Sequence, residues 1–260
     1  MPFPTYQRVY YQDPASFLPA DFIQNLPDIF EKEGTFIYNK RNQIKLFDVN
    51  GHLINVKRYC IPPFFNRFLY SLNIRQPKAV RAYQNAKQII ARGFLTATPH
   101  GYVLEKQNNW LGYSYFVSEQ VQGKQISYTC KNKEAIKALA RYTAGLHQQG
   151  LMHRDYTPGN VLYTEKNGNY SFYLIDINRF FFKKRPIPTW LAGNNLMQPF
   201  HDPQRLKRFV AAYSAQRGTS PRLISYVLFL RRMRNHYSEL KHALKKLPGA
   251  TLFLSKKQSK

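Results

Sequence analysis

At 260 residues, 43% hydrophobic and 15% aromatic, the chain is long enough for one large domain or two small lobes with a sizeable core. Its formal net charge of +25, from 39 basic and 14 acidic residues, seeks an anionic partner, whether nucleic acid, an anionic membrane face or a phosphorylated substrate, and does not choose among them. Cys60 and Cys130 form no metal-ligand spacing and are expected as reduced cytoplasmic thiols, the N-terminus lacks the apolar run of a signal peptide, and the longest apolar stretch, Leu223–Leu230 with Ser225 inside it, is too short to span a membrane.

Residues 1–33 are rich in Pro, Tyr and Phe. Asp21–Leu26 and Pro27–Lys32 are each expected to form a helical turn or two, with Phe22, Ile23, Leu26, Ile29 and Phe30 as a packing stripe that Gly34 ends. Three strands follow: Thr35–Tyr38, Asn42–Val49 and His52–Tyr59, the last two joined by Asn50-Gly51, a strong hairpin signal. Lys57 is either one more surface lysine on an edge strand or a phosphate contact, and its place just after the hairpin marks it out. The turn Asn39-Lys40-Arg41-Asn42 has no glycine. Lys40 and Arg41 there either replace backbone phosphate donors with charge or form a solvated basic turn.

Pro62-Pro63 opens a connector, Ile61–Arg75, and Pro77 suits the first turn of a helix that runs to Ala91 and ends at Gly93. Ala79, Tyr83, Ala86 and Ile90 share one face of it. No acidic residue lies between Pro77 and Gly93, and Gln84 is the nearest polar substitute. Tyr102–Glu105 and Tyr113–Val121 read as strands around an exposed Asn108-Asn109 turn, the second running into a linker that Gly123 frees. Asn132–Gln149 reads as a helix with Ile136, Leu139, Ala140 and Leu146 buried, stopped by Gly150.

That helix delivers the chain into Leu151–Tyr163, which places Asp155 after His153-Arg154 and Asn160 four intervening residues later. Phosphoryl transfer needs such a pair: a carboxylate to accept a hydroxyl proton, and an amide oxygen a short loop away to hold a metal against phosphate charge. Pro158-Gly159 bends the loop, and Val161, Leu162 and Tyr163 pin it as a buried strand. The alternative is a polar turn between a helix and a strand. Past a hairpin tip at Asn167-Gly168-Asn169, the strand Tyr170–Ile177 puts Asp176 in an apolar run, where a metal or a salt bridge to Arg179 would explain it. Pro203–Ala215 and Pro221–Leu247 are the remaining helices. The second carries Arg231, Arg232, Arg234, Lys241, Lys245 and Lys246, either as a solvated face or as a membrane-surface or anionic-substrate contact. The tail from Ser255 is expected to be disordered.

The order of hairpin lysine, helix, strand and linker, helix, Asp/Asn loop and strand aspartate resembles the protein-kinase-like fold. Within it the chain resembles the bacterial lipopolysaccharide kinases, the Kdo/heptose kinase family, over residues 35–180. The matching segments are Tyr38–Lys45, Ile54–Lys57, Lys78–Gly93, Tyr115–Glu119, His153–Asn160 and Ile175–Arg179. The resemblance implies an α+β fold with an antiparallel-sheet N-lobe and a mainly helical C-lobe: residues 1–120 with an N-terminal extension at 1–33, residues 121–254, and a basic tail at 255–260. It implies Asp155 as catalytic base, Asn160 and Asp176 as magnesium ligands, and Lys57 on the ATP phosphates. Backbone of Glu119 to Val121 would meet adenine, and Lys40 and Arg41 would stand over the phosphates. The helix glutamate that pairs with the strand lysine in kinases is absent here, and Ile177-Asn178 follows the aspartate in place of Phe-Gly. No Ala-Pro-Glu segment follows, which argues against a peptide substrate.

The implied function is ATP-dependent phosphorylation of a sugar hydroxyl of the lipopolysaccharide inner core, Kdo first, by an enzyme at the inner face of the cytoplasmic membrane. A small-molecule phosphotransferase of the aminoglycoside or choline kinase kind, a catalytically impaired kinase-fold binding module and a basic nucleic-acid binder without sequence preference are the other readings. The oligomeric state is not readable.

Overall fold

Three two-residue turns led by asparagine organise the strands: Asn50-Gly51 (φ 55° and 80°), Asn108-Asn109 (48° and 64°) and Asn167-Gly168 (51° and 76°). Positive φ at both positions is the twist that antiparallel hairpins require, and Asn and Gly reach it at least cost. These values come from a computed structural model that describes residues 6–246. The described chain divides into two compact units, residues 6–123 with 173–180, and residues 124–172 with 181–246.

The first unit contains β1 (Tyr6–Gln12), α1 (Ala20–Gln24), α2 (Leu26–Lys32), β2 (Thr35–Asn39), β3 (Gln43–Val49), β4 (His52–Tyr59), α3 (Phe64–Ser71), α4 (Lys78–Ala91), β5 (Leu95–Thr96), β6 (Pro99–Gln107) and β7 (Trp110–Glu119). Six strands form one antiparallel sheet in the order β1-β6-β7-β4-β3-β2. Leu18, Ile23, Leu26 and Phe30 pack on Phe47, Ile54, Val56, Val103, Tyr115 and Val117 as its core. Lys45 is buried and donates to the Phe30 and Glu33 carbonyls at 2.6 and 2.7 Å, so a cation closes the C-terminal end of α2.

β1 was not expected. It pairs with β6 from Tyr6↔Gln107 to Gln12↔Gly101. The chain after it is tied to α4 through Asp13, which accepts from the Tyr83 hydroxyl at 2.5 Å and from Lys87 at 2.8 Å. Burial works to raise the Asp13 pKa, but Lys87, Tyr83 and the Ala15 N–H outweigh it and hold the carboxylate at about 2. The stretch 61–75, expected as a connector, contains α3. In α4 Pro77 is the N-cap rather than the first turn, and Ile89 is buried where Ile90 was expected, with Ile90 exposed.

The second unit contains β8 (Lys124–Gln125), α5 (Lys133–Gln148), β9 (Leu151–His153), β10 (Val161–Lys166), the first four residues of β11 (Asn169–Leu174), the last two of β12 (Phe180–Phe182), α6 (Thr189–Leu196), α7 (Pro203–Arg217) and α8 (Arg222–Lys246). Asn132 caps α5 by accepting from the Glu134 and Ala135 amides, and Asp202 caps α7 by accepting from Arg205 N–H; each cap contributes about 1 kcal/mol. α6 was not expected from the sequence. The helix expected to end at Leu247 is described to Lys246, and the tail from Ser255 lies outside the described residues.

Candidate active site

In the first unit β4 carries Lys57, with 13% of its side chain exposed, between β3 and β7. Its Nζ donates to Asp176 Oδ1 at 2.5 Å and lies 5.3 Å from the Tyr59 ring centroid. Asp176 is not a strand residue as expected. β11 ends at Leu174, and Asp176 sits in the left-handed region at φ 52°, ψ 44°, followed by a 3-10 turn, Ile177–Arg179. A non-glycine residue there costs of order 1 kcal/mol, least for Asp and Asn. Neighbouring bonds hold it: Asn178 Nδ2 donates to Asp176 Oδ1 at 2.7 Å, Asn85 of α4 donates to the Ile177 carbonyl at 2.7 Å, and Thr96 Oγ1 donates to the Leu174 carbonyl at 2.6 Å. Burial, and next the Asp176 charge, push the Tyr59 phenol well above its ordinary pKa.

Two expectations about this region change. The ion-pair partner of Asp176 is Lys57, not Arg179. The polar residue that α4 lends is Asn85, one position past the suggested Gln84, which is exposed. Asp176 thus supplies Lys57 with the carboxylate that α4 lacks.

Lys40 and Arg41 are exposed at the three-residue tip of the β2–β3 hairpin, where Lys40 N–H donates to the Asn42 carbonyl at 3.2 Å. The Arg41 charge reaches the half-buried Lys78 at the start of α4, whose pKa is lowered first by burial. At the end of β7 the Glu119 N–H donates to Thr98 O and the Gln120 N–H to Leu53 O, each at 2.9 Å. The Val121 carbonyl accepts Gln120 Nε2 at 3.1 Å, and among the described residues no group accepts the Val121 N–H.

In the second unit Gly150 ends α5 at φ +73°, and a Cβ there would stand 2.3 Å from the Lys183 carbonyl, so only glycine lets the chain turn into β9. The loop after β9 is fixed by its backbone. Asn160 Nδ2 and the Thr157 N–H both donate to the Asp155 carbonyl at 2.9 Å, which leaves the Asn160 Oδ1 for another partner. The Asp155 N–H donates to His153 Nδ1 at 3.1 Å. Asp155 is half-buried, and among the described residues nothing donates to its carboxylate.

A relay of four buried residues, reached from the half-buried Arg217, supports this loop from beneath. Arg217 Nη1 donates to the Tyr213 hydroxyl at 2.7 Å, the Tyr213 hydroxyl meets His147 Nδ1 at 2.9 Å, His147 Nε2 meets Asn195 Oδ1 at 3.0 Å, and Asn195 Nδ2 donates to the His153 carbonyl at 2.5 Å. The last bond fixes the amide orientation, so His147 Nε2 carries the proton and Nδ1 accepts from Tyr213. Burial, opposed by the Asn195 bond and aided by Arg217, lowers the His147 pKa to about 4. Neither His147 nor Asn195 was singled out in the sequence. For His147 the signal existed, since it lies three and four residues past Ala144 and Thr143 on the buried face of α5, whereas Asn195 lies on α6, which the sequence did not reveal.

Oxygen is what a magnesium ion takes from a protein, usually one or two carboxyl or amide groups, with water and phosphate completing the shell. Asn160 and Asp176 are donors of that chemistry. Among the described residues no group of three or more His, Cys, Asp or Glu side chains gathers at one point.

A model of the lipopolysaccharide kinase (Kdo/WaaP) family matches residues 64–194, which include Glu119, Val121, Asp155, Asn160 and Asp176. No curated protein sequence matches the chain. Among solved structures, WaaP in complex with acyl carrier protein is similar at a TM-score of 0.56 and 14% identity, covering 81% of this chain and 91% of that one. Aminoglycoside-3'-phosphotransferase of type VIII is similar at 0.52 and 12%, covering 78% and 96%. The microcompartment-associated aminopropanol kinase is similar at 0.51 and 13%, covering 80% and 85%. At these identities the likeness shows a shared protein-kinase-like fold, here a mixed α+β chain with an antiparallel sheet and helices. With the family match spanning half its length, the chain belongs to the lipopolysaccharide kinase (Kdo/WaaP) family.

Proposed function

We propose that the protein transfers the γ-phosphoryl group of ATP to a sugar hydroxyl of the lipopolysaccharide inner core, with Kdo as the acceptor. The observation that carries this is Asp155: a half-buried carboxylate, held through its backbone by Asn160 and His153, with no donor on its oxygens among the described residues. A general base must be oriented yet uncommitted, and this one is.

Each residue takes one role in that reading. Asp155 accepts the hydroxyl proton as the acceptor oxygen attacks. Lys57 holds phosphate oxygens, and Asn160 and Asp176 are the magnesium ligands. Magnesium, when bound, neutralises charge on the β- and γ-phosphates. The Val121 N–H, which no described residue accepts, and the Glu119 backbone face the adenine edge, and Lys40 and Arg41 add positive charge over the phosphates. Most of the rate comes from positioning and electrostatic stabilisation, since phosphoryl transfer asks little covalent chemistry of the protein.

The net charge of +25 supports work on a polyanionic glycolipid at the inner face of the cytoplasmic membrane. No helix among the described residues is long and apolar enough to cross a membrane.

The test is an acceptor panel with ATP and magnesium: a Kdo-bearing lipid A precursor, a heptosylated core, an aminoglycoside and an amino alcohol. A product one phosphate heavier with the Kdo acceptor, and none with the small soluble acceptors, is expected. Transfer to an aminoglycoside or amino alcohol alone would replace the acceptor, and no turnover with any of them would make the chain a binding module.

A further inference from the structure

α8 exposes a line of hydrocarbon that the kinase reading does not use. Phe229, Met233, Tyr237, Leu240 and Leu244 are 50–69% exposed. At about 100° per residue, their spacings of four, four, three and four put all five within an arc of about 80°. The helix packs into its unit only through its first half, where Leu223 and Val227 are buried on another face, Arg231 donates to the Met197 carbonyl and the Tyr226 hydroxyl donates to the Trp190 carbonyl. Every residue from Arg232 to Leu244 is exposed. Trp190, on α6 beside Tyr226, is 66% exposed as well.

Such a stripe is covered when it works, and its flanks say by what. α8 carries seven Lys and Arg residues and a single acid, Glu239. Arg234 and Lys241 lie just beyond one edge of the stripe and Arg232 beyond the other. A second copy laid along it would set two strongly cationic helices side by side. An apolar stripe flanked by cations matches the boundary between acyl chains and anionic headgroups, where the hydrocarbon sinks in and the long basic side chains reach back to phosphate.

We propose that α8 docks the enzyme on a bilayer carrying anionic lipid, with the Phe229–Leu244 stripe as the inserted face. This deepens the function proposed above, by naming the surface that brings the kinase to a lipid-linked acceptor, and rests on it for purpose only.

The experiment is flotation of the full-length protein with vesicles of phosphatidylcholine, with and without phosphatidylglycerol. Wild type is expected to float with the phosphatidylglycerol vesicles, weakly with phosphatidylcholine alone, and less as salt rises. Tyr237→Asp with Leu240→Asp is expected to lower partition roughly a hundredfold on the anionic vesicles. Arg234→Ala with Lys241→Ala is expected to lower it about thirtyfold there and to leave weak binding to phosphatidylcholine unchanged. All four positions are exposed, and circular dichroism checks that the variants are folded. Wild type that floats with neither vesicle, variants that float as wild type does, or a solution dimer that Leu240→Asp dissociates would each overturn the proposal. Phosphoryl transfer to a delipidated, water-soluble acceptor is measured beside it. Its absence in wild type counts against the kinase assignment and not against docking, while equal rates in wild type and variants keep the two separate.

Discussion

Asn195→Leu removes the last member of the relay under the Asp155 loop while keeping the number and branching of side-chain heavy atoms. Asn195 is 2% exposed and holds two buried groups at once, His147 Nε2–H through its oxygen and the His153 carbonyl through its nitrogen. The leucine leaves the His147 Nε2–H without its acceptor and takes one donor from the His153 carbonyl. A stranded buried polar group costs about 1–3 kcal/mol, so the loss at His147 costs about 2 kcal/mol, a sizeable part of the 5–15 kcal/mol typical of a domain. His153 lies two residues before Asp155, so loss of this donor also loosens the backbone under Asp155, and transfer should fall at least tenfold through misplacement of that carboxylate. Urea denaturation gives the first number and ATP-dependent transfer the second. Tyr213→Phe acts on the same relay through His147 Nδ1 and Arg217, so the double variant should lose less than the sum of the singles by 0.5 kcal/mol or more. A loss below about 0.5 kcal/mol for Asn195→Leu, or strict additivity with Tyr213→Phe, would refute the relay.

His147 gives a pH dependence of known sign. The fold keeps it neutral with a pKa of about 4 against 6.5 for a free histidine, so the unfolded chain binds more protons between those values. Its contribution is complete above about pH 6.5 and is lost as pH falls to about 4, for a total of about 3 kcal/mol. Urea midpoints for wild type and His147→Gln across that window check it, the slope being shallower in the variant. Lys45→Met should destabilise the first unit by about 2 kcal/mol, because the Phe30 and Glu33 carbonyls lose a charged donor, and thermal unfolding reads this out. Gly101→Val should detach β1, since even a Cβ at that position would lie 2.2 Å from the Tyr11 carbonyl. Faster amide exchange confined to residues 6–12 and their partners on β6 is the expected signature.

The elements that local chemistry specifies were legible. Asn50-Gly51, Asn108-Asn109 and Asn167-Gly168 all became positive-φ turns, and α4 and α5 follow their apolar period to within a residue at each end. What the sequence concealed depends on distant partners or on reversed exposure. β1 reads Tyr-Gln-Arg-Val-Tyr-Tyr-Gln with no residue fully buried, and it exists because β6, some ninety residues later, offers an edge. α3 turns Phe64, Phe65 and Phe68 outward and buries Tyr70, so its apolar residues do not mark an inward face. At the candidate site, the motif singled out Asp155, Asn160 and Asp176, but did not show that the backbone would leave the strand before Asp176. Nor did it show that Lys57, 119 residues away, would take the carboxylate's charge. An ion pair of that sequence separation has no local signature. The buried relay is harder still, since its members look like the ordinary polar residues of amphipathic helices until their burial is known.

The most direct test of the chemistry is transfer of labelled phosphate from ATP to a Kdo-bearing lipid A precursor by wild type and by Asp155→Ala. Wild type is expected to label the glycolipid. The variant should bind nucleotide as tightly, with transfer reduced on the order of a thousandfold or more, the share a positioned base supplies. Labelling by Asp155→Ala at the wild-type rate would contradict the assignment of the base, and with it the kinase site built around that carboxylate.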